Sequence, residues 1–206
     1  MNLAEPLHKG LADLRLDLDA GVQARLHAYL ELLAKWNKTY NLTAIHEPAR
    51  MLTHHLLDSL AVLPWVRAGH LLDVGSGAGL PGIPLALARP DLSVTLLDAS
   101  QKKAAFMQQA IIELGLGNTT ALHGRVEDLK AEAPHEQIIS RAFSDLSDFV
   151  RLSRHLLAPG GVWLAMKGVH PDEEIARLQG ARLAAAHRLH IPGLGADRHL
   201  IMLEAI

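Results

Sequence analysis

The sequence predicts an α/β fold, a mostly parallel sheet that ends in an antiparallel hairpin and carries an N-terminal helical extension over residues 1–68. Three observations carry this prediction. Up to about residue 68 the apolar side chains recur with a helical period. After Gly69 short apolar runs alternate with helical stretches, as in strands joined by crossover helices. Near the C-terminus two strand-like runs are separated only by Pro192-Gly-Leu-Gly-Ala-Asp197, a turn-forming segment.

The first well-defined helix runs from Val22 to Tyr40, with Leu26, Tyr29, Leu30, Leu33 and Trp36 on its apolar stripe. Asp19 stands where an N-cap is needed. A second helix starts near Pro48, where proline suits the first turn, and carries Met51, Leu52, Leu56, Leu60 and Leu63 up to Pro64. The expected strands are His70–Val74, Ser93–Asp98, Thr119–His123, Gln137–Arg141 and Val162–Lys167. Helices are expected at about 80–89, 100–114 and 144–157, the second capped by Ser100 and stopped at Gly115. Ala158-Pro-Gly-Gly161 reads as a turn before the fifth strand. Ala181–Ile191 and Arg198–Ala205 form the closing hairpin. Residues 69–206 are thus expected to make the main domain, with 1–68 packed on it.

Composition narrows the chemistry. The chain has no cysteine, which excludes disulfides, thiolate metal sites and a cysteine nucleophile. His54 and His55 are adjacent, not spaced i, i+4, so no metal is expected. A formal net charge of −2 argues against coating nucleic acid by bulk charge, while leaving a local basic patch open. No apolar run is long enough for a membrane span and the N-terminus lacks a signal-like segment, so a cytoplasmic protein is expected.

Leu71-Leu-Asp-Val-Gly-Ser-Gly-Ala-Gly-Leu-Pro-Gly82 leaves the first strand and enters a helix, and its glycines let the backbone approach a ligand where a Cβ would collide. Twenty-three residues past Gly75, Asp98 closes the next strand, where a carboxylate can accept from the two hydroxyls of a ribose. An adenosine-bearing cofactor follows. Gly77-Ala-Gly-Leu-Pro-Gly82 also satisfies the dinucleotide pattern, so an NAD(P)-dependent oxidoreductase is the alternative. Asp73 before the first glycine, Pro81 and Pro84 at the loop exit, and a terminal hairpin in place of a second βαβαβ half favour S-adenosylmethionine in a Rossmann-like class I methyltransferase. After the third strand, Glu127 could accept from an adenine amino group while Val126 packs on the ring. Equally, Glu127 could simply start a helix. Arg141 ends the fourth strand at the ligand-binding edge, facing cofactor, substrate or a surface ion pair.

These segments together resemble the bacterial RsmG or GidB family, which methylates the 7-position nitrogen of a guanine in 16S ribosomal RNA. The likeness spans nearly the whole chain. It rests on Lys35-Trp-Asn-Lys38, Asn41-Leu-Thr43, His55-Leu-Leu-Asp-Ser59, Asp73–Gly82, Leu97-Asp98, Arg125-Val-Glu127, Ser140-Arg-Ala142, Lys167-Gly168 and Arg198-His199. The resemblance implies cofactor contacts at Gly75, Leu80, Val126, Glu127 and Arg141, with Asp98 as the ribose acid; Gly77 and Gly79 join the cofactor-binding candidates from the glycine loop itself. Ala99 departs from the serine that the family often shows after the acid. Asn41, Lys167 and Arg198 are the substrate-binding candidates, and Asp58 matches the family motif without disclosing a role. The implied partner is 16S ribosomal RNA or the small ribosomal subunit, met by a monomer without metal or membrane. A non-catalytic RNA-binding protein is the further alternative.

Methyl transfer from a sulfonium is an in-line displacement dominated by positioning. The 7-nitrogen of guanine carries a free lone pair and no proton, so no general base is expected and no catalytic residue is assigned. Phosphate contacts could come from Lys35, Lys38, Arg50, Arg182, Arg188 and Arg198. Trp36 either stacks on a base or belongs to the core.

Overall fold

The computed structural model describes residues 3–130 and 133–206. Seven strands form one sheet in the order β3-β2-β1-β4-β5-β7-β6. Strands β1 (Gly69–Val74), β2 (Leu92–Asp98), β3 (Thr119–His123), β4 (His135–Ser140) and β5 (Leu157–Lys167) pair in parallel. Strands β6 (Ala181–Arg188) and β7 (His199–Ala205) close the sheet antiparallel, β7 lying between β5 and β6. The sheet is the mostly parallel one that the sequence predicts, and among the described residues it includes no second βαβαβ half.

Strand periodicity sorts the core onto the two faces. Leu71, Val94, Leu96, Ile139 and Leu164 lie in one cluster, and their neighbours Leu72, Val74, Leu97, Ile138 and Trp163 in the other. The N-terminal helices α1 (Ala4–Asp13) and α2 (Ala20–Tyr40) bury their apolar stripes in the first cluster, together with α5 (Gly82–Ala88) and α6 (Gln101–Glu113). Helix α7 (Leu146–Ser153) covers the other face. Trp36 belongs with the core: its ring meets Phe106 edge-on at 5.6 Å. Asp19 caps α2 by accepting from the Val22 amide at 2.8 Å.

Several boundaries differ from the pattern-based expectation. The helix begun at Pro48 is composite: α3 (Pro48–Met51) widens into a π-helical turn, Leu52–Leu57, and resumes as α4 (Asp58–Leu60) before a 3₁₀ turn at Leu63–Trp65. Ala158–Gly161 does not precede β5 but lies inside it as a bulge: Leu157 already pairs with His135 and the next pair is Gln137 with Val162, so this stretch stands opposite Glu136 alone. Helix α7 is correspondingly shorter than 144–157. Ser100 makes no side-chain cap on α6; its amide instead donates to Asp98 Oδ1 at 2.8 Å. Strand β4 ends at Ser140, which leaves Arg141 just beyond the strand.

The chain turns from β3 back past β1 to β4, so β1 and β4 flank the switch point where open α/β sheets bind ligands. Tyr29 of α2 reaches into this region from the N-terminal extension. It is fully buried, and its hydroxyl donates to the Ala78 carbonyl of the glycine loop at 2.8 Å. Burial drives its pKa upward, so it stays a neutral donor. Tyr29→Phe leaves that carbonyl buried without its donor and is expected to lower the unfolding free energy by about 1–3 kcal/mol, read as a reduced urea midpoint at unchanged m-value.

Candidate functional site

The end of β1 builds the site from main chain. The amides of Gly75 and Ser76 donate to the Leu97 carbonyl at 2.8 and 3.0 Å, tying the loop to the end of β2. Gly75 holds φ +70°, and a Cβ there would stand 2.6 Å from Ala142 Cβ. At the loop exit, the Gly82 amide donates to Asp73 Oδ2 at 2.8 Å, and a Cβ on Gly82 would meet that same oxygen at 2.8 Å. Two requirements of one carboxylate therefore enclose the loop.

Asp98 completes this first cleft. Its Oδ2 accepts from the Gly77 amide and its Oδ1 from the Ser100 amide, both at 2.8 Å, with Lys103 Nζ 3.8 Å away. A carboxylate so held keeps lone pairs for a diol. Gly75, Asp98, Val126 and Glu127 line a cavity of about 240 Å³, walled on its apolar side by Leu97, Phe143 and Leu152. Val126–Asp128 form a 3₁₀ turn, so Glu127 is both at a helical start and at the cavity; its carboxylate lies 3.7 Å from Arg125. Gly77 stands at the rim through Asp98. Gly79 and Leu80 lie behind the loop, where Ile83 and the Ser76 carbonyl fix them.

Arg141 faces away from this cavity, into a second one of about 360 Å³. Its Nη1 donates to Asp58 Oδ2 at 3.0 Å, while Arg198 Nε donates to Asp58 Oδ1 at 2.9 Å. The two cavities are divided by the segment after β4: Ala142 and Phe143 line the first, Arg141 the second. Lys167 also borders the second, but its ammonium is spent on the carbonyls of Phe143 (3.2 Å) and Ser144 (3.0 Å) and on Glu174 (2.8 Å). It thereby braces the dividing segment.

The N-terminal extension supplies the other wall. Asn37, fully buried, accepts from the Thr43 amide at 2.8 Å and donates to the Ile45 carbonyl at 3.2 Å. Thr43 Oγ1 in turn meets His55 Nε2 at 2.8 Å. Asn41 is the left-handed C-cap of α2, with φ +48°. Burial, and then the Arg141 charge, lower the His55 pKa to about 4, so the ring is neutral. Pattern reasoning placed Tyr29 on an apolar stripe and Asn37 in a motif without a role, and did not single out Glu174; the Tyr29 partner lies 49 residues away, and the nearby bonds of Asn37 and Glu174 follow no fixed spacing rule.

The other basic candidates divide. Arg182 pairs with Glu204 and Arg188 with Asp197, each at 2.8 Å, whereas Lys35, Lys38 and Arg50 are exposed with no ion pair among the described residues. Among the described residues no helix is long and apolar enough to cross a membrane, and no three His, Asp or Glu side chains gather as a metal site.

A glycine-lined strand end, an acid closing the next strand and a terminal antiparallel pair define a Rossmann-like class I methyltransferase. Comparison with known proteins narrows this. Residues 22–201 match the family described as rRNA small subunit methyltransferase G, GidB. The chain is 56% identical over 204 residues to the ribosomal RNA small subunit methyltransferase G of Laribacter hongkongensis, covering 98% of this chain and 99% of that one. Its identity to the protein of the same name in Aromatoleum aromaticum is 58% over 207 residues, with 98% of each covered. The chain belongs to the rRNA small subunit methyltransferase G family. A glycopeptide N-methyltransferase, MtfA, crystallised with S-adenosylmethionine, shares the fold at a TM-score of 0.60 and 15% identity, over 72% of this chain and 94% of that one.

Asp73 gives the site a pH signature. Burial pushes its carboxyl up from 3.8 to about 7, against the pull of the Gly82 amide and the Arg141 charge. In a raised acid the native state keeps a proton that the unfolded chain has released. Its stabilising contribution is complete below about pH 4 and is lost as pH rises through about 7. His55 has the opposite sign, its contribution being complete above about pH 6.5 and lost as pH falls through about 4. The two slopes oppose each other, so the test is a difference. The stability of wild type minus that of Asp73→Asn, from urea titrations of the unliganded protein, is expected to fall by up to about 1.4 kcal/mol per pH unit between about pH 4 and 7 and then level off.

Proposed function

We propose that this protein transfers a methyl group from S-adenosylmethionine to the 7-nitrogen of a guanine in 16S ribosomal RNA. The observation that carries the reading is the pair of cavities parted only by Arg141–Phe143 at the sheet's switch point. One has the main-chain cradle and acid suited to an adenosine, and the other has a polar, cationic lining suited to a base. Membership of the family supplies the reaction class.

The residues present fit the cofactor. Gly75, which lines the cavity, would let main chain approach it, Asp98 would accept from its ribose hydroxyls, Val126 and Leu152 would offer apolar contact to its adenine, and Glu127 would accept from the adenine amino group. When bound, the cofactor would supply a methyl whose carbon the guanine 7-nitrogen attacks with its lone pair, the carbon–sulfur bond breaking with its electrons kept by sulfur as a neutral thioether. The chain's own part is alignment. The bracing of the dividing segment by Lys167 and Glu174 and the anchoring of the glycine loop by Tyr29 fix the distance between the two cavities. The substrate must present its guanine unstacked, in a loop or an opened helix.

Two measurements test this. Radiolabelled methyl from S-adenosylmethionine is expected on a single guanine 7-nitrogen when small ribosomal subunits lacking the modification are the acceptor; label elsewhere, or none, would reject the reading. Asp98→Ala removes the ribose acceptor and the anchor of the Gly77 amide together. It is expected to weaken cofactor binding about 10- to 100-fold by calorimetric titration, in line with the loss of about 1–3 kcal/mol per charged hydrogen bond.

A further inference from the structure

Asp58 does not line the first cavity but is a buried charged group of the second. Its carboxylate is only 5% exposed and lies between two guanidinium groups, at 3.0 Å from Arg141 Nη1 and 2.9 Å from Arg198 Nε. Ile45, His55 and Met166 complete that wall. Each carboxylate oxygen takes one arginine N–H, and a carboxylate offers about four acceptor positions. Two therefore remain, on the only carboxylate that lines the cavity among the described residues. On the arginine side, Arg141 Nη2 and Arg198 Nη2 have no acceptor among the described residues.

The chemistry of guanine selects what such a group can do. Arginine ordinarily reads guanine through its 7-nitrogen and 6-oxygen together. That mode is closed here, because the 7-nitrogen must keep its lone pair for the methyl carbon. Recognition then falls on the remaining edge, which offers the 6-oxygen as acceptor and the 1-NH and 2-amino groups as donors. A carboxylate flanked by guanidinium donors is its complement.

We propose that Asp58 is the residue that selects guanine, its carboxylate accepting from the 1-NH and 2-amino groups while Arg141 or Arg198 donates to the 6-oxygen. This rests on the guanine 7-nitrogen reading above. Adenine is rejected by the same group, since its unprotonated ring nitrogen would set a lone pair against the carboxylate. Methylation leaves a positive charge on the purine. The carboxylate offsets that charge, which the flanking guanidiniums alone would oppose.

The experiment is a cycle of enzyme variant against base analogue. Small subunits are reconstituted with RNA carrying either guanosine or inosine at the position found by label mapping; inosine lacks the 2-amino group alone. Wild type is expected to methylate the inosine subunits at least about tenfold less efficiently in kcat/KM, the discrimination typical of one lost base contact. Asp58→Asn is expected to lose activity on guanosine while keeping cofactor affinity by calorimetry, and its preference for guanosine over inosine should collapse towards one. Equal wild-type efficiency on both bases overturns the proposal, even if the variant does not fold. So does a folded, cofactor-binding Asp58→Asn that keeps the wild-type preference. No label from wild type on guanosine subunits overturns the underlying function instead, and this inference with it.

Discussion

The site depends on one buried carboxylate. Asp73 sits at the end of β1, fully buried, and accepts the Gly82 amide where the chain re-enters a helix. That bond closes the loop from Gly75 to Gly82 on itself, and its oxygen lies where any side chain at Gly82 would have to go. Burial above all, and the nearby Asp98 charge after it, oppose its ionisation, as its raised pKa shows. The fold accepts that cost at the strand end where main chain, not side chain, must meet the ligand.

The N-terminal helices act on the same region from outside the sheet. Tyr29 holds the Ala78 carbonyl, Asn37 shapes the turn at Thr43 and Ile45, and Asp58 receives Arg141 from just after β4 and Arg198 from just before β7. The Tyr29 and Asp58 bonds join residues before β1 to residues after it. Residues 1–68 thus do more than cover an apolar face, because they supply the wall of the second cavity and the clamp on the first.

Much of this was legible in the sequence. Helical periodicity in residues 22–40, the glycine run after an apolar strand, and the acid at the end of the next strand depend on neighbours along the chain, and local pattern records them. The π-helical turn at Leu52–Leu57 was not legible, since its apolar spacing reads like any amphipathic helix. Nor was the strand character of Ala158–Gly161. Proline and glycines there signal a turn, whereas pairing with β4 on either side, Leu157 with His135 and Val162 with Gln137, takes the stretch into β5 as a bulge.

The sequence by itself determined the sheet's composition, the cofactor loop and the residue types at its rim, because backbone approach and strand alternation leave a mark at fixed spacing. Only the tertiary structure decided which charges meet. Arg141 and Arg198 converge on Asp58 from 83 and 140 residues away, and Lys167 turns to Glu174 and the loop carbonyls, away from solvent. Pairings of that range follow from how helices and strands stack, and stacking is settled by the whole core at once.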